Sequence, residues 1–293
     1  MFSIFTDTSA NLDTALLQSR QISVIPFHYY LDGQEQTCHD LQDFDGPAYY
    51  QAMRSGVKAT TSQIVPQEYI DAFLPVLERG EDVLLVSMSS GVSGAFSSAG
   101  IAAQQLREEF PGRQIFLVDT LGASLGEGLL VLQAADCRDK GMSLAETASY
   151  LNELRYSMCQ VFTVGDLKYL RAAGRLSNLT SMLGIALHIK PLLKGNEEGK
   201  IVGFGKVLGR EKSIHALAEH YDTWVRDAEH QVIGISHGDC PQDAALLAKL
   251  LCRNHPPREI LTVCHEPATG SHVGPGMLAV FFLGDKSFRS AKH

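Results

Sequence analysis

Apolar stretches of strand length alternate with amphipathic stretches of helix length through the first half of this chain, and that alternation limits the folds open to it. Residues 3–6, 22–30, 83–87 and 115–118 read as strands, and 66–79 and 93–110 as helices. Pro66 suits a first helical turn, and Ile70, Phe73, Leu74 and Leu77 recur at helical spacing. Such alternation predicts a parallel sheet covered by helices. The second half changes character. Helices are expected at 144–156 and 166–173, and strands at 189–193 and 201–207 flank the turn sequence KGNEEGK. A further helix places Ile214, Leu217, Ala218, Tyr221 and Trp224 on one face, and strands at 232–236, 260–264 and 277–283 follow. A length of 293 residues is long for one simple core, so the expectation is an α/β protein of two α/β domains, 1–160 and 161–293.

A net charge of −8 argues against nucleic acid as a partner, because such binding rests on neutralising phosphates with Lys and Arg. No apolar run reaches the ~18 residues that a membrane-spanning helix needs. Residues 1–7 carry no positive charge and read straight into a strand, so no secretory leader is expected. The six cysteines (Cys38, Cys137, Cys159, Cys240, Cys252 and Cys264) form no C-x-x-C pair and read as reduced thiols of a cytoplasmic protein. The histidines show no ligand spacing, so no metal site is expected.

Four stretches carry candidate chemistry. In VLLVSMSSGVSGAFSSAG, residues 83–100, a strand runs into a helix through serines and glycines. That junction aims backbone N–H groups and hydroxyls at one point, which suits an anion; it is equally a serine helix cap. It lacks the G-x-x-x-x-G-K-[ST] phosphate loop, and its second glycine falls one place early for a G-x-S-x-G nucleophile elbow at Ser93. GFGKVLG, residues 203–209, has the wrong spacing for a dinucleotide fingerprint. In ATTSQ, Thr61 and Ser62 are ligand hydroxyls or caps of the helix at Pro66. In LKYLRAAGRLSN, residues 167–178, Arg171 and Arg175 stand one turn apart across Gly174, as a solvated helix end or as ligand contacts. In GSHVGPGM, His272 lies beside a Gly-Pro-Gly turn ahead of an apolar strand.

Taken in order, TDTSANL, TSQ, SSGVSGAFSSA, AAGRLS, IKPLL and SHVGPGM resemble the DegV family of bacterial fatty-acid-binding proteins across nearly the whole chain. The resemblance implies two α/β domains with a long-chain fatty acid in an apolar tunnel at their interface. It implies a carboxylate held by Thr61, Ser62, Ser93, Gly94 and His272. It further implies a separate ATP-binding fatty-acid kinase subunit as partner, which converts the carboxylate to an acyl-phosphate for phospholipid synthesis. Arg175 and Arg210 match basic positions expected to meet that phosphate or the kinase. The protein itself would then be non-catalytic, with no cofactor besides the bound acid. Asn11, Ile64 and His188 depart from residues common in the family (aspartate, proline and asparagine).

Two other readings stay open: a lipid carrier or sensor with no kinase partner, and an esterase. The esterase would use Ser93 as nucleophile and His272 as base, with Asp7 or Asp119 as orienter. The basic tail KSFRSAKH is solvated surface or makes at most a transient membrane-surface contact.

Overall fold

The computed structural model describes residues 2–38, 41, 42, 44–177 and 188–291. Asn178, the end of the arginine-bearing stretch, and Lys292 and His293 of the basic tail lie outside the described residues. Three sheets organise the described residues. The first is wholly parallel, in the order β2-β1-β6-β7, with β1 at Phe2–Asp7, β2 at Ile22–Ile25, β6 at Asp82–Ser87 and β7 at Ile115–Asp119. This is the sheet that the alternation predicts.

The 22–30 stretch is not one strand. Pro26, which has no N–H to give a ladder, separates β2 from β3 (His28–Leu31). β3 is the middle of a small antiparallel sheet between β4 (Gln34–Thr37) and β5 (Ala59–Ser62). Thr61 and Ser62 therefore sit on a strand opposite Tyr29 and His28, not at a helix cap. The next helix begins at Pro66 and is capped instead by Glu68, whose carboxylate accepts the Val65 N–H at 2.8 Å.

The third sheet is mixed, in the order β10-β9-β8-β13-β11-β12. Its strands are β8 (Met158–Thr163), β9 (Ile189–Gly195), β10 (Ile201–Leu208), β11 (Val232–His237), β12 (Glu259–Cys264) and β13 (Leu278–Leu283). β9 and β10 form the expected hairpin around KGNEEGK.

Ten α-helices are seen among the described residues: α1 (Thr14–Ser19), α2 (Gly46–Arg54), α3 (Pro66–Glu78), α4 (Ala95–Glu109), α5 (Leu125–Asp139), α6 (Leu144–Leu154), α7 (Lys168–Ala173), α8 (Arg210–Trp224), α9 (Pro241–Leu251) and α10 (Pro267–Val273). They build layers. α3 and α4 cover the outer face of the parallel sheet through Phe73, Leu77, Ala99 and Leu106. α8 and α9 cover the outer face of the mixed sheet through Leu217, Tyr221 and Leu247. α5 lies between the two sheets, and one apolar cluster runs from Ile4 and Leu84 through Leu130 and Ala134 to Leu193 and Phe281.

α5 is buried on nearly every side from Leu125 to Ala135, so it has no polar stripe. It ends at Gly141, whose φ of +81° only glycine adopts at no cost. α6 then starts on a capping box in which Ser143 and Glu146 exchange bonds with each other's backbone N–H. No described helix is long and apolar enough to cross a membrane.

Candidate functional site

A cavity of about 200 Å³ opens where the three sheets meet. Its mouth is polar. Thr61 from β5 and His272 from the last turn of α10 pair through Oγ1 and Nε2 at 3.0 Å. α10 is held there by its own N-terminus: Glu266 caps it by accepting the Ala268 and Thr269 N–H groups, each at 2.6 Å, and Pro267 suits the first turn. Ser62, Ser93 and Gly94 line the same mouth. Ser93 Oγ accepts the Ala95 N–H at 3.2 Å, so the serine both caps α4 and faces the cavity. Gln63 Oε1 stands where a Cβ of Gly94 would lie, so a side chain there would push that amide aside. Burial, reinforced by the Arg175 charge, holds His272 down to about 4, so its imidazole is neutral at pH 7 and offers a hydrogen bond in place of a counter-charge.

Arg175 borders the mouth but is not one helical turn from Arg171. α7 stops at Ala173, Gly174 takes the left-handed conformation (φ +67°), and the Arg175 Nε turns back to the Val92 carbonyl at 3.4 Å. Arg175 also borders an open cleft on the other side of the Thr61–His272 pair, where Lys58 and Lys168 add two more cations. Arg210 is not brought to the mouth. It begins α8, where its Nε pairs with Asp243 at 2.8 Å. No group of metal-ligating side chains is found among the described residues, and all six cysteines are free thiols.

The Ser93–His272–Asp esterase is not assembled. Asp7 is engaged with Ser9, Ser87 and the Met88 N–H. Asp119 accepts from Ser90 and Leu121. Neither carboxylate reaches His272.

Beyond the mouth the walls are apolar, with Phe27, Met88, Ile201, Met277 and Phe281 among them. Polar side chains interrupt them at Gln160 and at a cluster around His265, which the sequence reading did not single out. Ser124 lies 3.2 Å from His265 Nδ1, and His265 Nε2 lies 2.7 Å from Thr269 Oγ1. Ser236 also bonds His265 Nδ1, at 2.5 Å. Thr269 donates to the Glu266 carboxylate. Burial without a facing counter-charge drives His265 down to about 3 and pushes Glu266 up to about 7.

Nearby, Asp7 and Glu127 flank the Ser9 hydroxyl at 2.5 Å on either side. One hydroxyl proton cannot serve two carboxylates, so the arrangement needs a proton on a carboxyl. Burial raises both acids, as that requires. Asn11 ties this cluster to α10. It takes the left-handed conformation (φ +57°), donates to the Cys264 carbonyl and accepts the Glu266 N–H at 3.0 Å.

Comparison with known proteins adds a family. A family model described as "Uncharacterised protein, DegV family" matches residues 1–285. A DegV domain-containing protein of Clostridium perfringens is 35% identical over 284 residues, covering 97% of this chain and 98% of that one. Among solved structures, a fatty-acid-binding DegV family protein from Thermus thermophilus superimposes with a TM-score of 0.87 at 28% identity, covering 97% of this chain and 99% of that one. A fatty-acid-binding DegV family protein from Streptococcus agalactiae gives a TM-score of 0.85 at 28% identity, with the same coverage.

Proposed function

Since the chain belongs to the DegV family, we propose that it binds a long-chain fatty acid in this cavity and presents the carboxylate at the mouth to a separate kinase subunit. The observation that carries the reading is the pairing of an apolar cavity with a mouth built from neutral donors: Thr61, Ser62, Ser93, the Gly94 backbone and His272. The two parts answer the two needs of such a ligand. Burying a chain of about sixteen carbons offers on the order of 10 kcal/mol gross, at ~0.8 kcal/mol per CH₂, and the cost of association removes much of it. A buried carboxylate must be hydrogen-bonded. Hydroxyls and a neutral imidazole do this without fixing a counter-charge, so a carboxylate oxygen stays nucleophilic toward the γ-phosphate of ATP held by the partner.

The basic cleft behind Thr61 and His272 supports the direction of transfer. Lys58, Lys168 and Arg175 line that cleft and would meet the added charge of an acyl-phosphate. Arg210, paired with Asp243, takes no part in holding the head group in this reading. The test is to denature the purified protein, extract it into organic solvent and identify released lipid by mass spectrometry. Stoichiometric fatty acid in the wild type and little in a Ser93→Ala, His272→Ala double variant is the expected result. No lipid in either, with no uptake of added palmitate, would exclude the reading.

A further inference from the structure

Ser124 stands in a backbone conformation that serines rarely adopt, φ +56° and ψ −144°. Such a residue costs on the order of 1–3 kcal/mol and persists only where its surroundings impose it. The surroundings are a sharp turn between the end of β7 at Asp119 and the start of α5 at Leu125. The sequence there, Gly122-Ala123-Ser124-Leu125-Gly126, is G-x-S-x-G, the nucleophile-elbow pattern in its expected setting of strand, turn and helix. Both glycines are required by contact, since a Cβ at Gly122 or Gly126 would lie 2.8 or 2.7 Å from the side-chain amide of Gln160. That amide is fixed across the turn: its Oε1 accepts the Ala123 N–H and its Nε2 donates to the Leu121 carbonyl, both at 3.2 Å.

The Ser124 hydroxyl faces His265 Nδ1 at 3.2 Å, and Ser124, His265 and Thr269 all line the acyl cavity. With Glu266 ionised, Thr269 donates to Glu266 and so accepts from His265 Nε2–H. That leaves Nδ1 as an acceptor between Ser236 at 2.5 Å and Ser124 at 3.2 Å, so the Ser236 hydroxyl must turn away before Nδ1 takes the Ser124 proton. The Leu125 N–H, at the first position of α5, has no intrahelical acceptor and is the donor that an elbow turns toward an oxyanion.

We propose that Ser124 is a second functional centre of this protein, a nucleophile that accepts the acyl group of activated acyl esters bound in the cavity, with His265 as its base and Glu266, acting through Thr269, as the positioning carboxylate. Ser124 Oγ adds to the carbonyl carbon and its proton passes to His265 Nδ1. The bond to the leaving group breaks, and that group departs with the proton. Water then attacks the acyl-serine, which releases the carboxylic acid and restores the hydroxyl. The net reaction is ester plus water to acid plus alcohol. A histidine as deeply buried as His265 is a weak base, which confines the chemistry to donors with good leaving groups, such as aryl esters, thioesters and acyl phosphates. The acid released is of the class that the mouth is proposed to hold, and the inference rests on that reading only for the fit of the chain.

The test uses the full chain stripped of lipid on a hydrophobic resin at neutral pH, with p-nitrophenyl hexanoate as substrate and an alkyl fluorophosphonate as label. Expected are one phosphonyl adduct per chain, mapped to Ser124, and ester hydrolysis that falls at least tenfold in Ser124→Gly and in His265→Gln. Excess palmitate should suppress both. Ser124→Gly suits the strained backbone, and palmitate binding and a melting curve measured on each variant separate loss of this chemistry from loss of the carrier site or of the fold. An adduct elsewhere, no adduct, equal hydrolysis in wild type and Ser124→Gly, or labelling indifferent to palmitate would each overturn the proposal.

Discussion

The mouth and the inner wall of the cavity use the same two chemical groups, hydroxyl and imidazole, in opposite ways. At the mouth, Thr61 sits on a regular strand and His272 on the last turn of a helix, and all of its side chains are partly open to solvent. Nothing there is strained, and the pair holds a single bond that a carboxylate can replace. In the inner wall, Ser124 and His265 are buried, each bonded to more than one partner, and the serine is held in a conformation suited to glycine. The contrast separates a place where an anion comes and goes from a place where geometry is fixed beforehand. Preorganisation of the second kind is what a reacting group needs.

The largest effect expected from this contrast is at the mouth. Each hydrogen bond to a charged group contributes roughly 1.5–3 kcal/mol, so the Ser93→Ala, His272→Ala variant should bind palmitate at least about a hundredfold more weakly. Its thermal stability should fall only by the loss of the Ser93 bond to the Ala95 N–H, about 1 kcal/mol, because neither side chain supports the core. Titration calorimetry on delipidated protein, beside a melting curve, checks both halves. A large loss of stability would mean that the mouth is part of the scaffold and would erase the contrast.

Next in size is the pH response of the inner wall. Glu266 has a folded value of about 7, above its ordinary 4.5, so the folded chain keeps a proton that the unfolded chain has lost. The contribution of this group is therefore complete below about pH 4.5 and fades as pH rises through 7, by a few kcal/mol at most. Glu266→Gln removes that slope. The melting temperature of the variant minus that of the wild type should become more positive between pH 5 and pH 8, and a flat difference would contradict the assignment.

The sequence disclosed the mouth more readily than the inner wall, and the reasons are physical. Thr61, Ser62 and Ser93 stand in polar runs that punctuate apolar ones, so composition alone marks them. Their setting was less legible: from residue type alone Thr61 and Ser62 read more readily as helix caps, because β5 is a short strand rich in hydroxyls. The inner wall sits at the start of α5, a helix buried all round that gives no periodic signal. Without a predicted helix, G-x-S-x-G at 122–126 has no strand–turn–helix context to draw notice. His265 and Glu266 follow a strand and precede a helix of seven residues, too short for a pattern to declare it. The parallel sheet was legible because β6 and β7 are apolar runs and the helices α3 and α4 that flank them are long, patterned segments. The antiparallel sheet was not, because Gln34–Thr37 is polar throughout and Pro26 divides what reads as one strand.

The smallest effect separates the two regions most cleanly. At an ordinary buried position, replacing serine by alanine costs less than replacing it by glycine, because glycine gives up about 0.5–1 kcal/mol of chain entropy. At Ser124 the order should reverse. Both substitutions lose the bond to His265, but alanine keeps a Cβ in a conformation that penalises it by on the order of 1–3 kcal/mol, whereas glycine is relieved of that penalty. Ser124→Gly should therefore be more stable than Ser124→Ala by about 1 kcal/mol, read as a higher denaturant midpoint at unchanged slope. The same pair of substitutions at Ser93, which is not among the residues of positive φ, should follow the usual order. If Ser124 also follows the usual order, its backbone is not strained, and the preorganisation that distinguishes the inner wall from the mouth is lost with it.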